Sequence, residues 1–201
     1  RWHIRKTFQI KKIKVGHAGT LDPLATGLLI ICTGKKTKQI EQYQAQVKTY
    51  TGTLVLGSTT PSYDLETDID ATFSTTHITE ELIHQTTAQF TGNIEQYPPI
   101  FSALKKGGKR LYEFAREGKE VEISARKIVI DFFNITAING LEVDFEIQCS
   151  KGTYIRSLAH DFGKALNSGA HLAALRRTKI GDFSVDNAIS VEAFIESLKK
   201  E

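Results

Sequence analysis

Between Leu141 and Cys149 every second residue is apolar: Leu141, Val143, Phe145, Ile147 and Cys149 alternate with Glu142, Asp144, Glu146 and Gln148. A period of two sends successive side chains to opposite faces, so this run reads as a half-buried strand with one face on a core. Asn139-Gly140 directly precedes it, and Lys127 to Ile138 is rich in Ile, Val and Phe. The two runs therefore form a hairpin through a tight turn. Beyond the strand, Ser150-Lys151-Gly152-Thr153 leads into a segment whose Ile155, Leu158, Ala159, Phe162 and Leu166 recur at helical spacing. This strand-turn-helix unit places Arg156 in the first turn of the helix, at one end of the sheet, where a positive charge is unfavourable beside the helix dipole.

The rest of the chain supplies partners for that unit. Val47 to Leu56 reads as a second strand ended by Gly57, and Leu28 to Cys32 as a short buried strand ended by Thr33-Gly34. Thr79 to Phe90 carries Leu82, Ile83 and Phe90 in a helix-compatible pattern, with Glu80 and Glu81 in its first turn and Gly92 just beyond. The first twelve residues read as a basic helix, whereas Gly16 to Pro23, with two glycines and a proline, reads as a structured loop. Strands and helices mix without a regular βαβα rhythm. The expected class is therefore α+β, with a mixed, largely antiparallel central sheet flanked by helices and loops. At 201 residues and 40% apolar composition, one catalytic domain over 1–201 closes one substantial core.

No stretch approaches the roughly 20 apolar residues of a membrane span, and Arg1 to Lys6 lacks the apolar region of a secretory signal, so a cytoplasmic protein is expected. Cys32 and Cys149 stand alone in apolar runs and read as buried thiols. No His/Cys cluster has metal-ligand spacing, and neither a metal nor a cofactor is expected. The net charge of +3 is strongly segregated. Residues 1–48 hold ten Lys and Arg against Asp22 and Glu41, residues 58–97 hold seven acids and no Lys or Arg, and residues 98–119 hold six Lys and Arg against Glu113 and Glu117. Such segregation suits a polyanion lying across the two basic stretches and avoiding the acidic one, although a charge run also serves as a plain solvated face.

One acid stands out. In Gly16-His17-Ala18-Gly19-Thr20-Leu21-Asp22-Pro23-Leu24-Ala25-Thr26-Gly27, a lone carboxylate sits among glycines and a proline just before an apolar run. Read locally, Asp22 either starts an Asp-Pro turn or does chemistry. The stretch resembles, nearly letter for letter, the catalytic-loop signature of the TruB family of tRNA pseudouridine synthases. Further blocks agree in order and spacing: Lys48-Thr49-Tyr50, Pro99 to Lys105 with Gly108 to Arg116, Cys149 to Arg156, and Leu175-Arg176-Arg177-Thr178 with Gly181 and Phe183. Together they span about residues 12–190.

The resemblance implies an isomerase that cuts the bond between uracil N1 and the ribose, turns the base and rejoins it through C5, without ATP or metal. Its catalytic aspartate maps onto Asp22, acting on C1′, on the base, or as the base that removes a sugar proton. The family's active-site arginine maps onto Arg156, which would pair with Asp22 and hold it ionised. Tyr50 maps onto the tyrosine that stacks on the uracil and takes part in proton transfer, though an aromatic in a strand also serves as core. Tyr154 and Leu175 correspond to residues lining the same pocket, or to plain packing. His17 corresponds to the histidine that holds open the gap left by the extruded base. Asp64 matches an acid near the pocket, but Thr60-Pro61-Ser62 stands where the family has Thr-Asp-Thr, which leaves its role open.

Lys105, Lys106, Lys109, Arg110 and Arg116, with Tyr112 and Phe114 among them, resemble the family's RNA-clasping insertion, at about 98–119. The implied partner is the T-stem-loop of tRNA, with phosphate contacts from Lys105, Lys109, Arg110 and Arg116. No membrane and no protein partner is implied, and a monomer is expected. The family's N-terminal Lys-Pro-x-Gly strand does not precede Arg1, and no RNA-binding PUA domain follows Glu201, so a truncated chain is expected. The expected substrate is the T-loop uridine, position 55. The alternatives are a guide-RNA-dependent relative acting on ribosomal RNA and a non-catalytic tRNA-binding or folding module.

Overall fold

The computed structural model describes residues 13–197. The basic helix expected over the first twelve residues lies outside them. In chain order the elements are β1 (Val15–Ala18), β2 (Thr26–Gly27), β3 (Ile30–Thr33), α1 (Ile40–Ala45), β4 (Lys48–Leu56), β5 (Ser58–Thr59) and β6 (Ala71–Thr72). Then come α2 (Glu80–Thr86), β7 (Gly92–Gln96), β8 (Lys105–Lys106), β9 (Lys109–Arg110), α3 (Leu111–Arg116), β10 (Arg126–Asn139) and β11 (Glu142–Cys149). The last are α4 (Ile155–Ala165), β12 (Ala170–Ile180), β13 (Phe183–Ser184) and α5 (Val191–Ser197).

A seven-stranded sheet organises the molecule, in the order β13-β12-β4-β11-β10-β7, with β2 joined to β12. Every pairing is antiparallel except β2 with β12, which is parallel. The class is thus α+β with a mixed, largely antiparallel sheet, as expected. The β10–β11 hairpin forms where the alternation requires it, and Gly140 closes it at φ +63°, a left-handed conformation that a side chain would strain. Val143, Phe145, Ile147 and Cys149 are buried, but Leu141 lies before the strand begins and is 46% exposed. It belongs to the turn, where its carbonyl accepts from the Leu56 amide.

Helix α4 covers one face of the sheet because Ile155, Leu158, Ala159 and Phe162 fall on one stripe. Phe162 packs edge-on against Phe133 of β10, with ring centroids 5.4 Å apart, and against Phe90 at 5.7 Å. The segment 79–90 is an α-helix only to Thr86 and tightens into a 3-10 turn over Thr87–Phe90. Its start is as expected, with the Thr79 hydroxyl accepting from the Leu82 amide.

Two local expectations need correction. Leu28 to Cys32 is not a buried strand of the main sheet: only Ile30–Thr33 is extended, and it pairs with β1 in a separate two-stranded ribbon. A ribbon has one face on the protein, so Leu28 and Cys32 are buried whereas Leu29 and Ile31 are exposed. Gly16–Ala18, expected as loop, forms part of β1, and the irregular segment begins only at Gly19.

Candidate active site

The loop between β1 and β3 carries Asp22. Its backbone makes the turn that Asp-Pro favours, with the Ala25 amide donating to the Asp22 carbonyl at 3.0 Å. That leaves the carboxylate free for another partner, so the turn that Asp-Pro favours forms without occupying the Asp22 side chain. The partner is Arg156: Nε donates to Oδ2 at 2.9 Å and Nη2 to Oδ1 at 3.0 Å. Two parallel bonds from a planar fork fix both the distance and the plane of the carboxylate. The Arg156 side chain is 3% exposed and that of Asp22 36%. The guanidinium is therefore sealed in the protein, while the carboxylate keeps one side open to whatever enters.

Arg156 is itself held from several directions. Nη1 donates to the Ser62 carbonyl at 3.2 Å and Nη2 to the Phe101 carbonyl at 3.0 Å. The Asp64 carboxylate lies 3.6 Å from Nε and is only 5% exposed. Asp64 is fixed by the Ser62 hydroxyl at 2.6 Å and by the Glu66 amide at 3.0 Å. The first turn of α4 has no acid of its own, so Asp22 and Asp64 supply the negative charge that offsets a cation near the positive end of the helix.

The entry to α4 is clamped by β7. The Gln96 side chain accepts from the Tyr154 amide at 2.8 Å and donates to the Tyr154 carbonyl at 3.0 Å. Tyr154 is the residue preceding the helix, and its phenol has its pKa raised, chiefly by burial. The Ser102 hydroxyl lies beside that phenol and is buried without a partner in good hydrogen-bond geometry.

Tyr50 sits on β4 between Ile147 of β11 and Arg177 of β12. Burial pushes its phenol up to about 12, against the opposing charge and contact of Arg177. It is a neutral hydroxyl at physiological pH, and its half-buried ring packs on the main core. In the same block Lys48 is buried, with its ammonium on the Gln44 and Gln46 carbonyls and its pKa lowered to about 8 by burial. Leu175 lines a cleft with Asp22, Leu24, Ala25, Asp64 and Leu172.

The structure thus brings Asp22, Arg156, Asp64 and Leu175 together, with Tyr154 adjoining. His17 stands on β1, opposite Ile31, with a buried Nδ1 that has no partner. Among the described residues it makes no hydrogen bond or ion pair to Asp22, Arg156 or Tyr50. The basic segment 98–119 forms a β8–β9 hairpin followed by α3. Lys109 pairs there with Glu117, while Arg110 and Arg116 lie over the Tyr112 ring, at 5.7 and 5.3 Å from its centroid.

The sequence motifs include Arg177 and Ser62 without giving either a role, and Gln96 stands in none of them. Arg177 is 2% exposed and donates to the carbonyls of Leu28, Thr20 and Gly19. The available signal was an arginine pair between Leu175 and Ile180, but backbone acceptors leave no mark on the sequence.

Residues 5–155 match the TruB family pseudouridylate synthase (N terminal domain), and residues 156–201 match the tRNA pseudouridylate synthase B C-terminal domain. The junction of the two matches falls at Arg156, so Asp22 comes from one and its partner from the other. The chain is 64% identical to the tRNA pseudouridine synthase B of Flavobacterium johnsoniae, over 98% of this chain and 86% of that protein. It is 55% identical to that of Phocaeicola vulgatus, over 100% of this chain and 86% of that protein. Among solved structures it resembles a chain of a Cbf5-Nop10-Gar1 complex with TM-score 0.71 and 29% identity, over 96% of this chain and 48% of that one. It also resembles a chain of an H/ACA RNP bound to a substrate RNA containing 2'-deoxyuridine, with TM-score 0.68 and 26% identity, over 96% of this chain and 46% of that one. The chain therefore spans about half the length of those solved chains. By the match of both family domains and by its curated relatives, the chain belongs to the TruB family of pseudouridylate synthases.

Proposed function

We propose that this chain isomerises the T-loop uridine of tRNA, position 55, to pseudouridine, with Asp22 as the essential catalytic group. One observation carries the reading: a partly exposed carboxylate gripped by two parallel bonds from a sealed guanidinium, in the lining of a cleft. A structural ion pair has no need of an open side. A carboxylate that must face a ribose does.

The reaction breaks the N1–C1′ bond and makes a C5–C1′ bond. The hydrogen on C5 leaves as a proton and N1 gains one, so substrate and product are isomers and no oxidant, reductant or group donor is consumed. Arg156 holds the Asp22 carboxylate at a fixed distance and in a fixed plane toward the cleft. Tyr50, as a neutral phenol, presents a ring face to the uracil and a hydroxyl able to take part in proton transfer near C5. Leu175 and Tyr154 wall the pocket, and His17 fills the space vacated by the extruded base, for which a buried ring nitrogen without a protein partner is suited.

The whole chain 1–201 serves as one catalytic domain, working in the cytoplasm on free tRNA. Among the described residues no helix is long and apolar enough to cross a membrane. Identity of 64% and 55% to tRNA pseudouridine synthases B, against 29% and 26% to chains of a Cbf5-Nop10-Gar1 complex and an H/ACA RNP, favours the guide-free reading. The test is pseudouridine formation in a transcribed T-stem-loop, read by primer extension after carbodiimide labelling. Wild type is expected to modify the T-loop uridine, and Asp22→Asn to bind the RNA without modifying it. An active Asp22→Asn would refute the assignment.

A further inference from the structure

Arg177 is a buried cation with no counter-charge in reach. Among the described residues no carboxylate lies within 4.0 Å of it, yet its side chain is almost fully enclosed. A solitary buried charge is expensive unless every donor is used, and an apolar residue could fill the same space on β12. Its presence there calls for something a guanidinium does and a hydrocarbon cannot.

The fork is spent on one loop. Nε donates to the Leu28 carbonyl at 2.8 Å, Nη1 to the Thr20 carbonyl at 3.3 Å and Nη2 to the Gly19 carbonyl at 3.3 Å. The main chain of the same residue adds to the grip, because the Leu28 amide donates to the Arg177 carbonyl at 2.8 Å. Gly27 approaches so closely that a Cβ there would stand 2.2 Å from that oxygen, at a φ of +101°. Gly19 and Thr20 precede Asp22 and Gly27 and Leu28 follow it, so one residue secures both stems of the loop that carries the carboxylate. Across the ladder, Arg177 faces Tyr50 in register, and its charge opposes the rise that burial gives the phenol.

We infer that Arg177 is a positioning residue for the isomerisation: its guanidinium ties both stems of the Asp22 loop to β12 beside Tyr50, so that the carboxylate meets Arg156 squarely. The inference rests on the function proposed above. Lysine in its place keeps the charge but offers donors from a single nitrogen, which cannot reach both stems at once.

The experiment is tritium release from a T-stem-loop carrying tritium at uracil C5, under single turnover with enzyme in excess. It is run on wild type and Arg177→Lys, alongside stem-loop affinity and thermal unfolding. The expected result is a fall in the rate constant of about tenfold or more, with affinity within about twofold of wild type, in a variant that remains folded. A role confined to folding would lower the melting temperature and leave the rate constant of the folded protein alone. A folded Arg177→Lys within about threefold of the wild-type rate constant overturns the inference. Should Arg177→Lys not fold, Gly27→Ala, which pushes the loop off β12 from the other side, is judged by the same criterion. If neither folds, Arg177 is a folding residue and the inference falls. A wild-type protein that releases no tritium sinks the proposed function, a result distinct from a working wild type with an equally active Arg177→Lys.

Discussion

Arg156 illustrates how much one side chain can be asked to hold. It binds both oxygens of Asp22, the carbonyls of Ser62 and Phe101, and stands 3.6 Å from Asp64. These partners come from distant parts of the chain, so three segments converge on one guanidinium. Lysine would keep the charge but could not make the two parallel bonds that set the plane of the carboxylate. Arg156→Lys is therefore expected to slow single-turnover isomerisation by about a hundredfold, the order of loss for a reacting group displaced by roughly 1 Å. Stem-loop binding, measured by filter retention, should change far less. A variant as fast as wild type would show that the bidentate geometry is dispensable. Asp22 and Arg156 were legible because both lie in motifs with distinctive neighbours. Asp64 was left open because Pro61 and Ser62 replace the expected residues, yet the Ser62 hydroxyl grips the Asp64 carboxylate at 2.6 Å and so fixes its position.

At the scale of elements, helix α4 connects the site to the core, and its packing is braced on the side of Asp64. The ring of His160 on α4 stacks on Tyr63 at 4.0 Å, and Tyr63 adopts a left-handed φ of +65°. Burial, aided by the Lys164 charge and opposed by Asp70, lowers the His160 pKa from 6.5 to about 4. The unfolded chain then takes up a proton near 6.5 that the folded one refuses until about 4, so His160 costs stability as pH falls through that window. His160→Phe keeps a ring on Tyr63 and removes the titration. Denaturant unfolding at pH 7 and pH 4.5 should show a smaller acid loss in His160→Phe than in wild type, and equal losses would assign the acid sensitivity elsewhere. In the same helix, Phe162→Ala should cost about 3–5 kcal/mol of stability, because Phe162 is fully buried between Phe133 and Phe90. A loss below about 1 kcal/mol would mean that the core closes around the gap.

The elements that sequence made legible are those with one unbroken period. β11 alternates cleanly and α4 keeps its stripe, and both stand where expected. β12 did not announce itself, although it lies next to β4 in the middle of the sheet. Its pairing with β4 slips between Leu172 and Ala174 and again between Arg177 and Lys179. Each slip shifts the face on which side chains emerge, which erases the alternation a reader would look for. Those irregularities accompany the burial of Arg177, so the feature that hid the strand is bound up with the one that grips the loop carrying Asp22.

At the scale of the whole molecule, the charge segregation takes on a more specific meaning once pairing is considered. The acidic stretch 58–97 is partly internal, since Asp64 is buried against Arg156. The basic segment 98–119 is not uniformly available either. Lys109 and Lys119 both pair with Glu117, and Lys106 reaches Glu122 at 4.0 Å. Arg110 and Arg116 instead flank the Tyr112 ring and, among the described residues, pair with no carboxylate. Lys105 likewise has no acidic partner among them. These three cations are the ones free to displace counterions from an RNA backbone, whereas Lys109 must first leave Glu117. For each phosphate neutralised, the slope of log affinity against log salt steepens by roughly 0.7 to 0.9. Replacing Lys105, Arg110 and Arg116 together by alanine should therefore flatten the slope for the T-stem-loop by about 2 to 3, measured between 50 and 200 mM salt. Lys109→Ala alone should flatten it by less than any one of the three. If Lys109→Ala proves the largest single effect, the Glu117 pair opens at no cost on binding, and the internal pairing gives no guide to which cations meet the RNA.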